Sequence, residues 1–126
     1  SARQACADRP RDDATLVARY AGLELDHGAR DRGRTRFDTL LEQHARRADL
    51  WQLYVAKTLK AGDVAHARAI QLRLAKADLP PKQMRAALTR FSEFEASHGD
   101  AATQKVVKDL ARAYVARQRD GMEVDS

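Results

Sequence analysis

The chain is poor in residues that cross-link or interrupt a backbone. Its 126 residues include one cysteine, three prolines and six glycines. Because Cys6 has no second cysteine to pair with, an intramolecular disulfide is excluded, and a reducing compartment is favoured. So few prolines and glycines leave long stretches uninterrupted, which is typical of helices.

Long apolar runs and catalytic motifs are also missing. No run of about 18 apolar residues occurs, so no membrane-spanning segment is predicted. Neither a phosphate-binding glycine loop nor a nucleophile elbow is present. His44 and His66 lack a partner at metal-ligand spacing, and Glu93 and Glu95 face differently on a helix because they lie two residues apart. The sequence therefore predicts no enzyme, no metal or cofactor site and no small-molecule substrate.

The chain does contain a repeated spacing, in which an aromatic residue is followed eight positions later by a glycine. The three pairs are Tyr20 and Gly28, Tyr54 and Gly62, and Phe91 and Gly99. The glycines lie 34 and 37 residues apart, which is the period of a helix-turn-helix solenoid. We expect the aromatic residues in the core, with Val17, Trp51 and Leu88 one helical turn before them. We expect the glycines to end helices in the left-handed conformation.

Turn and capping residues divide the chain into six predicted helices, at about 13–27, 30–45, 49–61, 63–76, 81–98 and 100–118. Asp63 and Asp100 directly follow glycines and are placed to cap the next helices, and Pro81 suits a first helical turn. The predicted fold is all-α, a right-handed α-solenoid of about three helical pairs with repeats at about 13–45, 49–76 and 81–118.

Both ends of the chain lack apolar periodicity. We therefore expect a flexible leader at 1–12 and a flexible tail at 120–126, on either side of a repeat domain at 13–119. Ser1 is not an initiator methionine, and no charged-then-apolar leader follows it. We expect the chain to be a fragment of a longer protein.

Several segments resemble a known repeat family. Trp51-x-x-Tyr54, followed by Ala67-Arg68 and Leu74-Ala75, resembles the HAT (half-a-tetratricopeptide) motif of RNA-processing factors. More narrowly, residues 34–115 resemble the carboxy-terminal HAT module of the ribosomal RNA processing protein five family, known in animals as programmed cell death protein eleven. The strongest matching stretches are Arg34-Thr35-Arg36-Phe37, Asp49-Leu50-Trp51, Leu79-Pro80-Pro81-Lys82-Gln83-Met84-Arg85, Phe91-x-x-Phe94-Glu95 and His98-Gly99-Asp100. Gly33 inside a helix, and Gln71 at the position aligned with Phe37, depart from the pattern.

The resemblance implies a function that the residues alone do not. It implies a non-catalytic scaffold in ribosome biogenesis, acting in pre-rRNA processing and small-subunit precursor assembly in the nucleolus of the nucleus. The implied partners are pre-ribosomal proteins and components of the U3 small nucleolar ribonucleoprotein, with pre-rRNA itself as a further possibility. Two alternatives stay open, namely direct RNA binding by the basic central helices and a HAT scaffold of the splicing or polyadenylation machinery.

The positive charge is concentrated in the middle of the chain. Residues 28–76 contain eleven Lys and Arg against five Asp and Glu, whereas residues 77–126 contain eight of each. Arg30, Arg32 and Arg36 are the candidate contacts to RNA or an acidic partner. Steps of two residues turn about 200° around a helix, so Arg30 and Arg34 occupy one face while Arg32 and Arg36 occupy another. These arginines therefore cannot all point at one ligand. The competing interpretation is a solvated helix with one arginine in a salt bridge.

The stacked first helices are the predicted protein-binding surface. The candidate contacts there, chosen as exposed positions on first helices, are Gln52, Lys57 and Arg90.

Overall fold

The computed structural model describes residues 12–125, with side chains for residues 13–121. The described residues form six helices and include no strand, so the predicted all-α fold class is confirmed. Contacts divide the chain into two compact units, Ser1–Leu79 and Pro80–Ser126. Residues 1–11 of the predicted leader, and Ser126 of the predicted tail, lie outside the described residues.

The first unit contains two helical pairs. Helix α1 spans Asp12–Asp26, α2 spans Arg30–Gln43, α3 spans Ala48–Lys60 and α4 spans Val64–Ala75. Helix α1 packs along both α2 and α3, and α3 packs along α4. The buried face of α1 consists of Ala14, Ala18, Ala21 and Leu25. These side chains recur at helical spacing, and three of them are small, which lets neighbouring backbones approach α1 closely.

Gly33 explains one departure from the repeat pattern. It is buried in α2, and a Cβ atom there would lie 2.7 Å from Cγ of Leu25 and 3.0 Å from the carbonyl oxygen of Ala21. A larger residue would therefore push α2 away from α1. Glycine is required at this position by the close approach of the two helices, not by its backbone conformation.

Two of the three repeat glycines have the expected left-handed backbone. Gly28 and Gly62 both have φ of 87°, and the Asp63 carboxylate after Gly62 accepts the first-turn amide of His66 at 3.0 Å. The left-handed prediction is wrong at Gly99, which is extended with φ of −113°. The next helix starts immediately there, because Asp100 and Thr103 exchange reciprocal backbone-to-side-chain hydrogen bonds of 2.9 Å. This capping box sets the direction of the turn.

The second unit is a single helical pair. Helix α5 spans Pro81–His98 and α6 spans Ala101–Asp125, and the two pack along each other. Pro81 occupies the first turn of α5, where its missing N–H costs nothing. The predicted end of α6 at 118 is wrong, since the helix continues through most of the segment expected to be a flexible tail. No proline follows Arg119, and Gly121 does not adopt positive φ, so nothing local ends the helix.

The aromatic repeat positions differ in burial. Trp51, Tyr54 and Phe91 are buried, but Tyr20 is 59% exposed, so its predicted place in the core is wrong. Val17, expected beside it against the second helix, is 38% exposed. Tyr54 is buried because its ring stacks on Phe37 of α2 with centroids 4.5 Å apart. No described residue covers Tyr20 in the way that Phe37 covers Tyr54.

Candidate interaction surfaces

Two arginines of α2 brace the turn between α3 and α4. Arg30 donates from Nη2 to the carbonyl oxygen of Ala61 at 3.2 Å, and Arg34, one helical turn later, pairs with the Asp63 carboxylate at 2.5 Å. Ala61 follows the last residue of α3, and Asp63 caps α4. Arg34 thus forms the salt bridge of the competing interpretation, and Arg30 has an intramolecular partner although it is exposed.

The other two candidate arginines have different surroundings. Arg36 forms an ion pair with Glu24 of α1, and its guanidinium carbon lies 5.3 Å from the centre of the Tyr20 ring. Arg32 is exposed and forms no ion pair with any residue in the range 13–121. The structure therefore does not bring Arg30, Arg32 and Arg36 together into one phosphate site.

A polar cluster joins α2, α3 and α4 beside Arg34. The Tyr54 hydroxyl lies 2.9 Å from Nε2 of His66, and the backbone N–H of His66 donates to Asp63. That hydrogen bond and the nearby Arg34 guanidinium lower the pKa of Asp63, whereas burial and the Asp38 carboxylate raise the pKa of Tyr54. Burial of the imidazole, and then the charge of Arg34, lower the pKa of His66. These groups hold helices together, and each is already engaged by a neighbour.

The lowered pKa of His66 predicts a loss of stability in mild acid. Since the folded protein binds the proton less readily than the unfolded chain, this contribution is complete above the ordinary histidine value of about 6.5 and is lost as the pH falls below it. His66→Gln removes the titration but keeps a side chain that can bond the Tyr54 hydroxyl. Urea unfolding at a series of pH values should show a shallower decline in the free energy of unfolding for His66→Gln than for the wild type. Equal declines in the free energy of unfolding for the two proteins would contradict the assignment of this pH dependence to His66.

The three candidate protein contacts are not equivalent. Lys57 pairs through Nζ with Asp26 at 2.6 Å and packs its chain beside Gly22, so it fastens α3 to α1. The Lys57 ammonium lowers the pKa of Asp26. Gln52 is half-buried on α3, and Arg90 is exposed on α5. Of the three, Arg90 is the most accessible to a partner.

Helix α1 also carries an exposed apolar surface that was not predicted from the sequence. Leu16, Tyr20 and Leu23 are 65%, 59% and 52% exposed and lie at i, i+4 and i+7, so they share one helix face. We call these three residues the α1 surface. The signal for it was present in the sequence, because Ala14, Ala18, Ala21 and Leu25 form a second apolar face on the same helix. Large exposed apolar groups in contact range are typical of interaction sites.

Among the helices of residues 12–125, none combines the length and the hydropathy that a membrane span requires.

The chain is similar to proteins of plants, animals and fungi. It is 34% identical over 99 residues to the rRNA biogenesis protein RRP5 of Arabidopsis thaliana, a match that covers 79% of the chain and 5% of that protein. It is 27% identical over 113 residues to the RRP5 homolog of Mus musculus, covering 90% and 6%, and 31% identical over 100 residues to rrp5 of Schizosaccharomyces pombe, covering 79% and 6%. The chain thus spans only 5 to 6% of the length of these curated relatives. No protein-family model matches it.

Proposed function

Because this chain belongs to the RRP5 family of rRNA biogenesis proteins, we propose that it serves rRNA biogenesis as a non-catalytic scaffold that binds proteins of a pre-ribosomal particle. On this proposal the chain acts in the nucleolus, in pre-rRNA processing and small-subunit precursor assembly. Its partners are pre-ribosomal proteins, including components of the U3 small nucleolar ribonucleoprotein. The compartment, the processing step and the partners are what the family resemblance implies, and they are part of the proposal.

The α1 surface is the observation that carries the proposal. Leu16, Tyr20 and Leu23 present aliphatic and aromatic groups to solvent on one face of a helix whose opposite face is already packed. Tyrosine is among the residues that supply most of the binding energy at protein interfaces, and the buried centre of an interface is more apolar than the rest of the surface. The Arg36 guanidinium over the Tyr20 ring holds the phenol in place, which lowers the entropy lost when a partner binds.

Direct RNA binding has weaker support. Of the three candidate arginines, Arg36 is paired with Glu24 and Arg30 with a backbone carbonyl, so a phosphate would have to compete for both. Trp51, Tyr54 and Phe91 are buried and offer no ring to a nucleic-acid base. A non-catalytic role is consistent with the polar cluster at Tyr54, Asp63 and His66, in which each side chain contacts a neighbouring helix or caps its own.

Capture of named pre-ribosomal proteins tests the proposal. The chain, immobilised and incubated with nucleolar extract, is crosslinked, and the bound pre-ribosomal proteins are quantified by mass spectrometry. In the variant Leu16→Ala/Tyr20→Ala/Leu23→Ala, we expect their recovery to fall about tenfold or more, since interface anchors contribute on the order of 1 kcal/mol or more each. All three residues are exposed, so the variant should fold.

Two controls separate protein from RNA binding. Val106→Ala removes an exposed apolar side chain from α6 and should leave recovery unchanged. Nuclease treatment of the extract, and the variant Arg30→Ala/Arg32→Ala, should also leave it largely intact. Recovery that survives the triple alanine variant but is lost after nuclease treatment would overturn the scaffold in favour of direct RNA binding.

A further inference from the structure

The second unit carries a solvent-open groove between α5 and α6. It has a volume of about 310 Å³, large enough for side chains of a partner. Its apolar wall is formed by Leu88, Val107, Ala111 and Val115. Leu88 and Val107 are buried at the base, and Val115 is half-exposed. The groove therefore offers an apolar surface that the pairing of α5 with α6 leaves uncovered.

The rim of this groove is basic. Arg85 and Lys108 line it, and an adjoining depression that shares Ala111 and Val115 adds Arg112 and Arg119. Among residues 13–121, no carboxylate lines either depression. Residues 77–126 contain eight basic and eight acidic residues, and four of the basic ones line these two depressions. None of the four forms an ion pair with a residue in the range 13–121, and all are exposed.

A buried hydroxyl in the groove wall also lacks a partner. Tyr114 lines the groove and is only 8% exposed, and its hydroxyl forms no hydrogen bond within the described residues. An unpaired buried donor costs on the order of 1 to 3 kcal/mol. The hydroxyl oxygen itself has almost no accessible surface, so a carboxylate or carbonyl oxygen of an occupant would supply the acceptor only after a small outward movement of the tyrosine side chain.

We propose that the α5–α6 groove docks an acidic amphipathic helix of a protein partner. The apolar side chains of that helix would enter between Leu88, Val107 and Val115, and its carboxylates would meet the basic rim. The charge of the rim selects an acidic occupant, and the aliphatic wall selects a peptide over RNA. The one aromatic ring in the wall, Tyr114, is buried and lies 6.0 Å from the Arg117 guanidinium carbon, so it provides no stacking platform for bases.

This inference rests on the proposed scaffold function, but it concerns a different surface from the α1 surface. It specifies the chemistry of a partner, which the family resemblance does not. The tests of the two proposals use different variants and different probes, so each can fail without the other.

A displayed peptide library tests the groove directly. The chain is used to select from random peptides of about 16 residues, long enough for about four helical turns. We expect the enriched peptides to carry large apolar residues at helical spacing and a net negative charge. Fluorescence anisotropy with a selected peptide should then give a dissociation constant that rises steeply with added salt, because exposed charge pairs are screened.

Charge reversal on the rim provides the decisive variant. Lys108→Glu/Arg112→Glu changes two exposed residues and should weaken the selected peptide about tenfold or more, because it turns attraction into repulsion. Ala111→Phe, which fills the part shared by both depressions, should weaken it similarly without a change in charge. Arg90→Glu reverses a single charge on α5 outside the groove, half the change in net charge made by the double variant, and should leave affinity within about twofold at moderate ionic strength.

Binding of a different kind of ligand in the groove would overturn the proposal. Selected peptides that are basic or uncharged, or binding unaffected by Lys108→Glu/Arg112→Glu and Ala111→Phe, would do so. Preferential binding of oligouridine RNA that depends on Lys108 and Arg112 would assign the rim to nucleic acid. Light scattering that shows a dimer dissociated by Ala111→Phe would assign the groove to a second copy of the chain. The Leu16→Ala/Tyr20→Ala/Leu23→Ala variant should bind the selected peptide normally, which keeps this test separate from that of the scaffold.

Discussion

Replacing Trp51 with alanine is expected to lower the free energy of unfolding by about 3 to 5 kcal/mol, because it leaves a cavity in the core. The side chain is only 4% exposed. Its indole N–H donates to the carbonyl oxygen of Ala45 at 2.8 Å, and the Arg73 guanidinium carbon lies 5.4 Å from its ring. The indole thus fastens the start of α3 to the preceding turn and to α4. For a domain of ordinary stability, a loss of this size is a large share of the total free energy of unfolding.

Trp51 is the only tryptophan, so its removal also deletes the usual fluorescence signal, and urea unfolding should be followed by far-ultraviolet circular dichroism. Trp51→Phe keeps part of the apolar volume but loses the N–H donor, and we expect an intermediate loss. Gln52→Ala, at the next and half-exposed position, should stay within about 0.5 kcal/mol of the wild type. A Trp51→Ala protein as stable as the wild type would place the indole outside the core.

The bounds of α1 to α5 and the central core were predictable from local signals. The Gly62-Asp63 pair marks a helix end and the next cap through backbone chemistry that needs no tertiary partner. The aromatic residues at Trp51 and Tyr54 lie one turn apart, so they share a helix face whatever the partner is. These features are local, and the structure places them as the spacing predicted.

Tyr20 shows why equal spacing does not imply equal burial. It has the same distance to its glycine as Tyr54 has, but the burial of Tyr54 depends on Phe37, a residue on another helix. The sequence of α1 contains two apolar faces, and the one built from alanines packs inside. The alanine face packs inside because its small side chains allow α1 to approach α2 and α3 more closely.

The candidate surfaces were predictable only in part. The 200° steps between the arginines of α2 predicted that their side chains point in different directions. Their partners were not predictable in this way, because Asp63, which pairs with Arg34, and Glu24, which pairs with Arg36, lie outside α2. Whether an arginine is available to a ligand depends on these tertiary pairs. The α5–α6 groove likewise arises from the packing of two helices, and the periodicity within either helix does not predict it.

The close approach of α1 and α2 gives the second large effect expected for a single substitution. Gly33→Ala should destabilise the protein by about 1 to 3 kcal/mol, the usual range for overpacking. The new Cβ would lie 2.7 Å from Cγ and 2.8 Å from Cδ2 of Leu25, and 3.0 Å from the Ala21 carbonyl oxygen. Leu25 is buried, and the Ala21 oxygen belongs to the backbone of α1, so neither contact is relieved by moving a flexible side chain.

A double-mutant cycle identifies the cause. Leu25→Ala alone should cost about 2 to 5 kcal/mol through its cavity, but in that background Gly33→Ala should cost less than it does in the wild type, with a coupling energy of about 0.5 to 3 kcal/mol. Gly121→Ala is the matched control, since Gly121 is also helical and a Cβ there meets nothing within 4 Å. It should stabilise the helix by up to about 1 kcal/mol, because glycine is a poor helix former. If Gly33→Ala stabilises the protein as Gly121→Ala is expected to, the two helices are not in the contact described, and the repeat tolerates a side chain at this position.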